Sequence, residues 1–99
     1  MTPSKYLDQL KAKIGVESDY ALAKTLEIPN GYVAEFRTGR RGLSPYLCTR
    51  IAIGLGIDPT HVIADIEEQR EKNAKRKEFW RSLRRNTTAG ASLAKRSIL

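Results

Sequence analysis

Cysteine, histidine and tryptophan each occur once in the 99 residues, proline occurs four times, and acidic residues are outnumbered by Lys and Arg, 11 to 18. A single cysteine, Cys48, rules out an intramolecular disulfide and any multi-cysteine metal site within one chain. The single histidine, His61, has no partner at a diagnostic catalytic or metal-ligand spacing. A lone cysteine on a helix reads as a small buried hydrophobe rather than a nucleophile. With no base, orienting group or metal set in view, no enzymatic activity, cofactor or metal is expected. The longest run without a polar side chain is Ile51 to Ile57, far short of a membrane span, and Met1 to Leu10 has no apolar signal core. A cytoplasmic location and no membrane partner are the expectation. A chain this short supports one domain with a modest core and little room for a deep substrate cavity.

The scarcity of proline makes its positions informative. Three of the four follow a capping residue: Thr2-Pro3, Ser44-Pro45 and Asp58-Pro59. The side-chain oxygen at the first position satisfies free amides, and proline as the first helical residue loses no hydrogen bond. Each pair predicts a helix start. From Pro3, Tyr6, Leu7, Leu10 and Ile14 recur at three- and four-residue spacing, and Gly15 is placed to end the helix. Ser18 or Asp19 can open a second helix with Leu22, Ala23 and Leu26 inward. Ile28-Pro29-Asn30 is a tight connection to a third, with Val33 and Phe36 inward, closed by Thr38-Gly39-Arg40-Arg41-Gly42. The fourth carries Leu47, Ile51, Ala52 and Leu55, and the fifth Val62, Ile63 and Ile66.

No period-two pattern is long enough for a strand, so the expected class is all-α with five helices. After Ile66 apolar residues nearly vanish while good helix formers continue. The fifth helix is therefore expected to run on, solvated, through Phe79-Trp80 to Leu83, with Glu68–Lys72 and Glu71–Lys75 pairs along it. The division expected is residues 1–66 as the folded domain, 67–86 as a charged helical extension and 87–99 as a flexible tail.

Two short helices joined by a few residues, the second followed by a Gly-Arg-Arg-Gly loop, have the geometry that lets one helix enter a major groove while the other crosses the backbone. Through Asp19-Tyr20-Ala21-Leu22-Ala23-Lys24-Thr25-Leu26-Glu27-Ile28-Pro29-Asn30-Gly31-Tyr32-Val33-Ala34-Glu35-Phe36-Arg37-Thr38-Gly39 the chain resembles the lambda repressor and Cro type of helix-turn-helix protein. The similarity extends from the first helix to Pro59, and the small format resembles short regulators of bacteriophages and prophages. Three positions depart from the family pattern. Asp19 replaces a phosphate-contacting glutamine, Glu27 replaces the turn glycine and so needs a left-handed or adjusted backbone at some cost, and Pro29 stands where a hydroxyl cap is usual.

By position, the resemblance implies base reading by Asn30, Gly31, Tyr32, Ala34 and Glu35. Asn30 suits adenine N6/N7 and Glu35 suits cytosine N4. Phosphate-positioning residues would be Ser18, Lys24, Arg37, Thr38, Arg40 and Arg41. Plainer roles are open for several: Asn30 as a helix cap, Glu35 paired with Arg37 or Lys24, and Arg40-Arg41 as a solvated turn. Val62, Ile66, Phe79, Trp80 and Leu83 are the candidate dimerisation residues, since two-fold symmetry doubles a short site. The alternative is that the extension folds back on its own core. The expected function is that of a homodimeric transcriptional regulator, most simply a repressor of phage or prophage genes, bound to a double-stranded operator and associated with the nucleoid when bound. The alternative is an antitoxin-like module whose C-terminal extension binds a partner protein.

The net charge of +7 is unevenly placed. Residues 1–58 hold eight basic and six acidic side chains, residues 59–68 no Lys or Arg and three acids, and residues 69–99 ten basic and two acidic. Most of the excess thus lies outside the two-helix segment, where it can add sequence-independent backbone affinity or a separate contact.

Overall fold

The computed structural model describes residues 1–87, which form helices α1 (Pro3–Ile14), α2 (Asp19–Leu26), α3 (Tyr32–Thr38), α4 (Pro45–Leu55), α5 (Pro59–Arg70) and α6 (Ala74–Asn86). Among these residues there is no strand, and no helix is long and apolar enough to cross a membrane. All three cap-proline pairs open helices. The side chains of Thr2, Ser44 and Asp58 accept from the backbone N–H of Lys5, Leu47 and Thr60. Ser18, rather than Asp19, caps α2, accepting from Ala21 N–H.

The core gathers the inward faces of α1 to α5 around Tyr6, Leu7, Leu22, Val33, Phe36 and Ile51. Leu43, in the connection before α4, is also buried, whereas Ile14 is exposed at the last turn of α1. Leu10 of α1 packs onto α4 at Gly54, where a Cβ would lie 2.6 Å from Leu10 Cδ1. Cys48 is buried, and burial pushes its thiol up to about 11, so it is held as an unreactive hydrophobe.

The expected continuous fifth helix does not occur. Helix α5 stops at Arg70, and Asn73 starts a sixth helix by accepting from Arg76 N–H, while Glu71 Oε1 accepts from Asn73 N–H. Helix α6 then runs back along α5: Glu68 receives both Arg81 (3.0 Å) and Arg84 (2.8 Å), Lys77 Nζ donates to the Glu68 carbonyl, and His61 contacts the Thr87 carbonyl. The Glu68–Lys72 and Glu71–Lys75 pairs expected of an uninterrupted helix are accordingly replaced. The physical cause is the charge division itself, because reversing the chain sets an acidic helix against a basic one. Thr87, expected to begin a flexible tail, is 1% exposed beneath this hairpin. The remainder of that segment, 88–99, lies outside the described residues.

A buried polar junction fastens the N-terminus to α5. Asp65, 6% exposed, accepts from the Met1 ammonium (2.7 Å), Tyr6 Oη (2.7 Å) and Gln69 Nε2 (3.2 Å). Burial raises the pKa of this carboxyl, but the donors outweigh that and leave it below the ordinary aspartate value. The same burial and the adjacent carboxylate drive the Tyr6 phenol strongly upward.

Candidate nucleic-acid interface

Helices α2 and α3 are joined by residues 27–31, and the turn begins at Glu27, whose φ of 58° and ψ of 44° are left-handed. Among the described residues it is the one non-glycine with positive φ. Its N–H satisfies the carbonyls at the end of α2, and Arg50 of α4 approaches from the other side, donating to the Thr25 carbonyl at 3.1 Å. Val33 and Phe36 fix the inner face of α3 in the core. The opposite face is thereby turned outward: Asn30, Gly31, Ala34 and Thr38 are all exposed, and Tyr32 and Glu35 are partly so. No side chain caps α3, so Asn30 does not take the capping role open to it.

Gly31 has φ −74° and ψ −11°, ordinary helical values that any residue adopts. A Cβ there would meet nothing nearer than Glu35 Oε2 at 4.0 Å. Neither backbone conformation nor internal packing therefore requires glycine at the start of α3.

The basic residues expected around this face divide into three groups. Arg37 is spent internally. Its Nε and Nη2 donate to the two Asp19 oxygens at 3.0 and 2.9 Å, Nη2 also reaches Asp8 at 2.8 Å, and Nη1 donates to Ser4 Oγ at 2.6 Å. The Asp19 bond holds the Arg37 guanidinium above its ordinary value, and the Arg37 bond holds the Asp19 carboxyl below its own. Arg37 thus clamps α1, α2 and α3 together. Asp19 supplies the other half of that clamp. Lys24 and Arg40 remain exposed, Lys24 resting over the Tyr20 ring at 5.2 Å from its centroid. Ser18 and Thr38 are exposed but make local bonds, Ser18 as the α2 cap and Thr38 Oγ1 donating to the Glu35 carbonyl.

Arg41 forms the third group. Its guanidinium carbon lies 3.6 Å from the Tyr32 ring centroid, and its Nε donates to Glu35 Oε1 at 3.2 Å. Glu35 therefore pairs with Arg41, not with Arg37 or Lys24. Tyr32 and Arg41 border a cleft of about 200 Å³ between α3 and the start of α4, whose apolar wall includes Ile28, Phe36 and Leu47.

Of the candidate dimerisation residues, Val62 and Ile66 are 0% and 2% exposed inside the core, so their surface is consumed within the chain. Trp80 and Leu83 are half-buried along α6. Phe79 projects outward, 47% exposed, with its ring edge-on to Trp80 at 5.1 Å. Arg84 and Arg81, basic residues of the extension, both pair with Glu68, whose carboxyl they hold below its ordinary value, and Arg81 also pairs with Glu78. No protein-family model, curated protein or solved structure matches the chain.

Proposed function

We propose that the chain is a DNA-binding protein of the helix-turn-helix class, with α2 lying across the backbone and α3 in the major groove. More particularly, we read it as a homodimeric transcriptional repressor of phage or prophage genes, acting on inverted half-sites about one helical turn apart. One observation carries the reading: α3 presents an outward face whose glycine, Gly31, answers no need of the fold. A bare Cα at the entering end of a recognition helix lets the backbone approach base edges closely. Asn30 beside it supplies the donor and acceptor pair that adenine N6/N7 requires, and Ala34 suits a thymine methyl. Lys24 and Arg40, exposed and in no ion pair among the described residues, are the cations for phosphate, with Ser18 and Thr38 hydroxyls near the helix ends. The role of Arg37 is to hold the two helices at their angle.

The dimer reading rests on Phe79 with Trp80 and Leu83, an apolar strip on an otherwise charged helix. A second reading draws on the same strip, in which α6 binds a different protein. Light scattering separates them: a dimeric mass that Phe79→Ser reduces to a monomer supports the homodimer, and a monomeric mass for the unmodified chain refutes it.

The DNA reading is tested by selecting bound duplexes from a random pool. An enriched motif with two-fold symmetry is expected, and Asn30→Ala should relax the preference at one position per half-site. A pool that remains random after selection contradicts the reading.

A further inference from the structure

We propose that Arg41 is a specificity-determining residue that reads a guanine in the major groove, and that Tyr32 and Glu35 are the positioning residues that aim it; this rests on the DNA-binding reading above. By its place in the chain, Arg41 belongs to the loop after α3, where a basic side chain ordinarily meets phosphate. The fold carries it elsewhere. Gly39, at φ 80°, turns the chain, and the N–H groups of Arg40 and Arg41 both donate to the Glu35 carbonyl, at 3.0 and 3.2 Å. The side chain is thereby led back along α3, until its guanidinium carbon stands 3.6 Å from the ring centroid of Tyr32, the first residue of that helix. It ends at the first turn of α3, which Asn30 and Gly31 immediately precede, the end a recognition helix turns toward base edges.

The orientation of the guanidinium is also set. The guanidinium rests on the Tyr32 ring, and its Nε donates to Glu35 Oε1 at 3.2 Å. The two terminal nitrogens, Nη1 and Nη2, have no hydrogen-bond acceptor among the described residues, and the side chain is 40% exposed. A planar fork with its inner nitrogen occupied and its outer donors free matches the O6/N7 pair of guanine. A phosphate contact needs no such aiming, and Arg40, exposed and with no side-chain partner among the described residues, serves it without help. The arrangement also accounts for a carboxylate on a face that approaches DNA. Glu35 reads no base itself, and its cost near phosphates is offset by the orientation it gives Arg41.

The test applies the random-pool selection to the full chain and to Arg41→Lys, Arg41→Gln, Glu35→Ala and Glu35→Gln, followed by titrations at several salt concentrations on the enriched duplex. Both positions are partly exposed, and circular dichroism verifies the fold of each of the four variants. The unmodified chain is expected to prefer a G·C pair at one position of each half-site by about 5- to 150-fold. Arg41→Lys, which keeps the charge but not the fork, should lose that preference and keep the others. Glu35→Ala should weaken it at the same position, and Glu35→Gln, whose amide oxygen still accepts from Nε, should restore it. If Arg41→Lys selects the unchanged motif, or Arg41→Gln weakens all sequences equally and lowers the salt slope by about one, Arg41 is a phosphate contact and the proposal fails. If the unmodified chain enriches no sequence, the DNA-binding reading falls first and takes this proposal with it.

Discussion

Replacing Gly31 with alanine should move stability and binding in opposite directions. The backbone there is already helical, and the added methyl carbon would have 4.0 Å to its nearest neighbour, Glu35 Oε2. Inside the protein the substitution meets no steric cost. It restricts the unfolded chain, a gain of about 0.4–1 kcal/mol where the native conformation is compatible. For a domain of this size about 1 kcal/mol corresponds to roughly 4–8 °C in Tm, so the variant should melt at the same temperature or a few degrees higher. On DNA the methyl group occupies the space that the glycine keeps open. Overpacking a close contact costs about 1–3 kcal/mol, which is about a 5- to 150-fold loss of affinity. Thermal denaturation by circular dichroism and fluorescence anisotropy on the selected duplex measure the two quantities. A variant that melts at least as high but binds several-fold more weakly is the expected result. Unchanged affinity would show that Gly31 is not at the interface, and a lowered Tm would show that the fold does require it.

Other predictions follow from single contacts. Glu27→Gly should stabilise the chain by about 1 kcal/mol, because a left-handed non-glycine costs about 1–2 kcal/mol and the exposed 3.8 Å pair with Arg50 that is lost is worth little; an unchanged or lower midpoint in urea would contradict this. Arg37→Ala should destabilise by about 1–2 kcal/mol through loss of the Asp8, Asp19 and Ser4 contacts, while leaving the salt slope of binding unaltered; a slope lower by about one would return Arg37 to the phosphate contacts. Asp19, Asp65 and Glu68 all titrate below their ordinary values when folded, so near pH 4 the unfolded chain binds more protons than the native one. Their contribution is complete above about pH 4.5 and is lost as pH falls through the folded values, so denaturant midpoints should decline below about pH 4; a flat profile from pH 5 to pH 2 would refute these pairings.

The parts of the fold legible in the sequence are those fixed by neighbours within one turn. The caps at Thr2, Ser44 and Asp58 and the glycine ends at Gly15, Gly39 and Gly56 are of this kind, as is the left-handed turn at Glu27. The reversal at residues 71–73 was hidden because helix-forming residues continue on both sides of it. Asn73 was its one local signal, an N-cap residue in the middle of a charged run. What makes the reversal favourable is non-local, since Glu68 meets Arg81 and Arg84 only after the chain has turned back. The same distinction separates the arginines around α3. Arg37 and Arg41 look alike in sequence, but Arg37 faces Asp8 on α1 and Asp19 on α2, while Arg41 faces Glu35 of α3. Which charge is buried in a clamp and which is aimed outward depends on packing, and spacing alone does not encode it.

The central claim is that the outward face of α3 meets DNA, and chemical-shift mapping tests it most directly. Backbone amide spectra of the full chain, titrated with the duplex enriched by selection, should show the largest shifts at residues 30–41. Smaller shifts are expected near Ser18 and Lys24, and a scrambled duplex should give weaker, salt-sensitive changes. Shifts confined to α6, or equal responses to the selected and scrambled duplexes, would contradict the account.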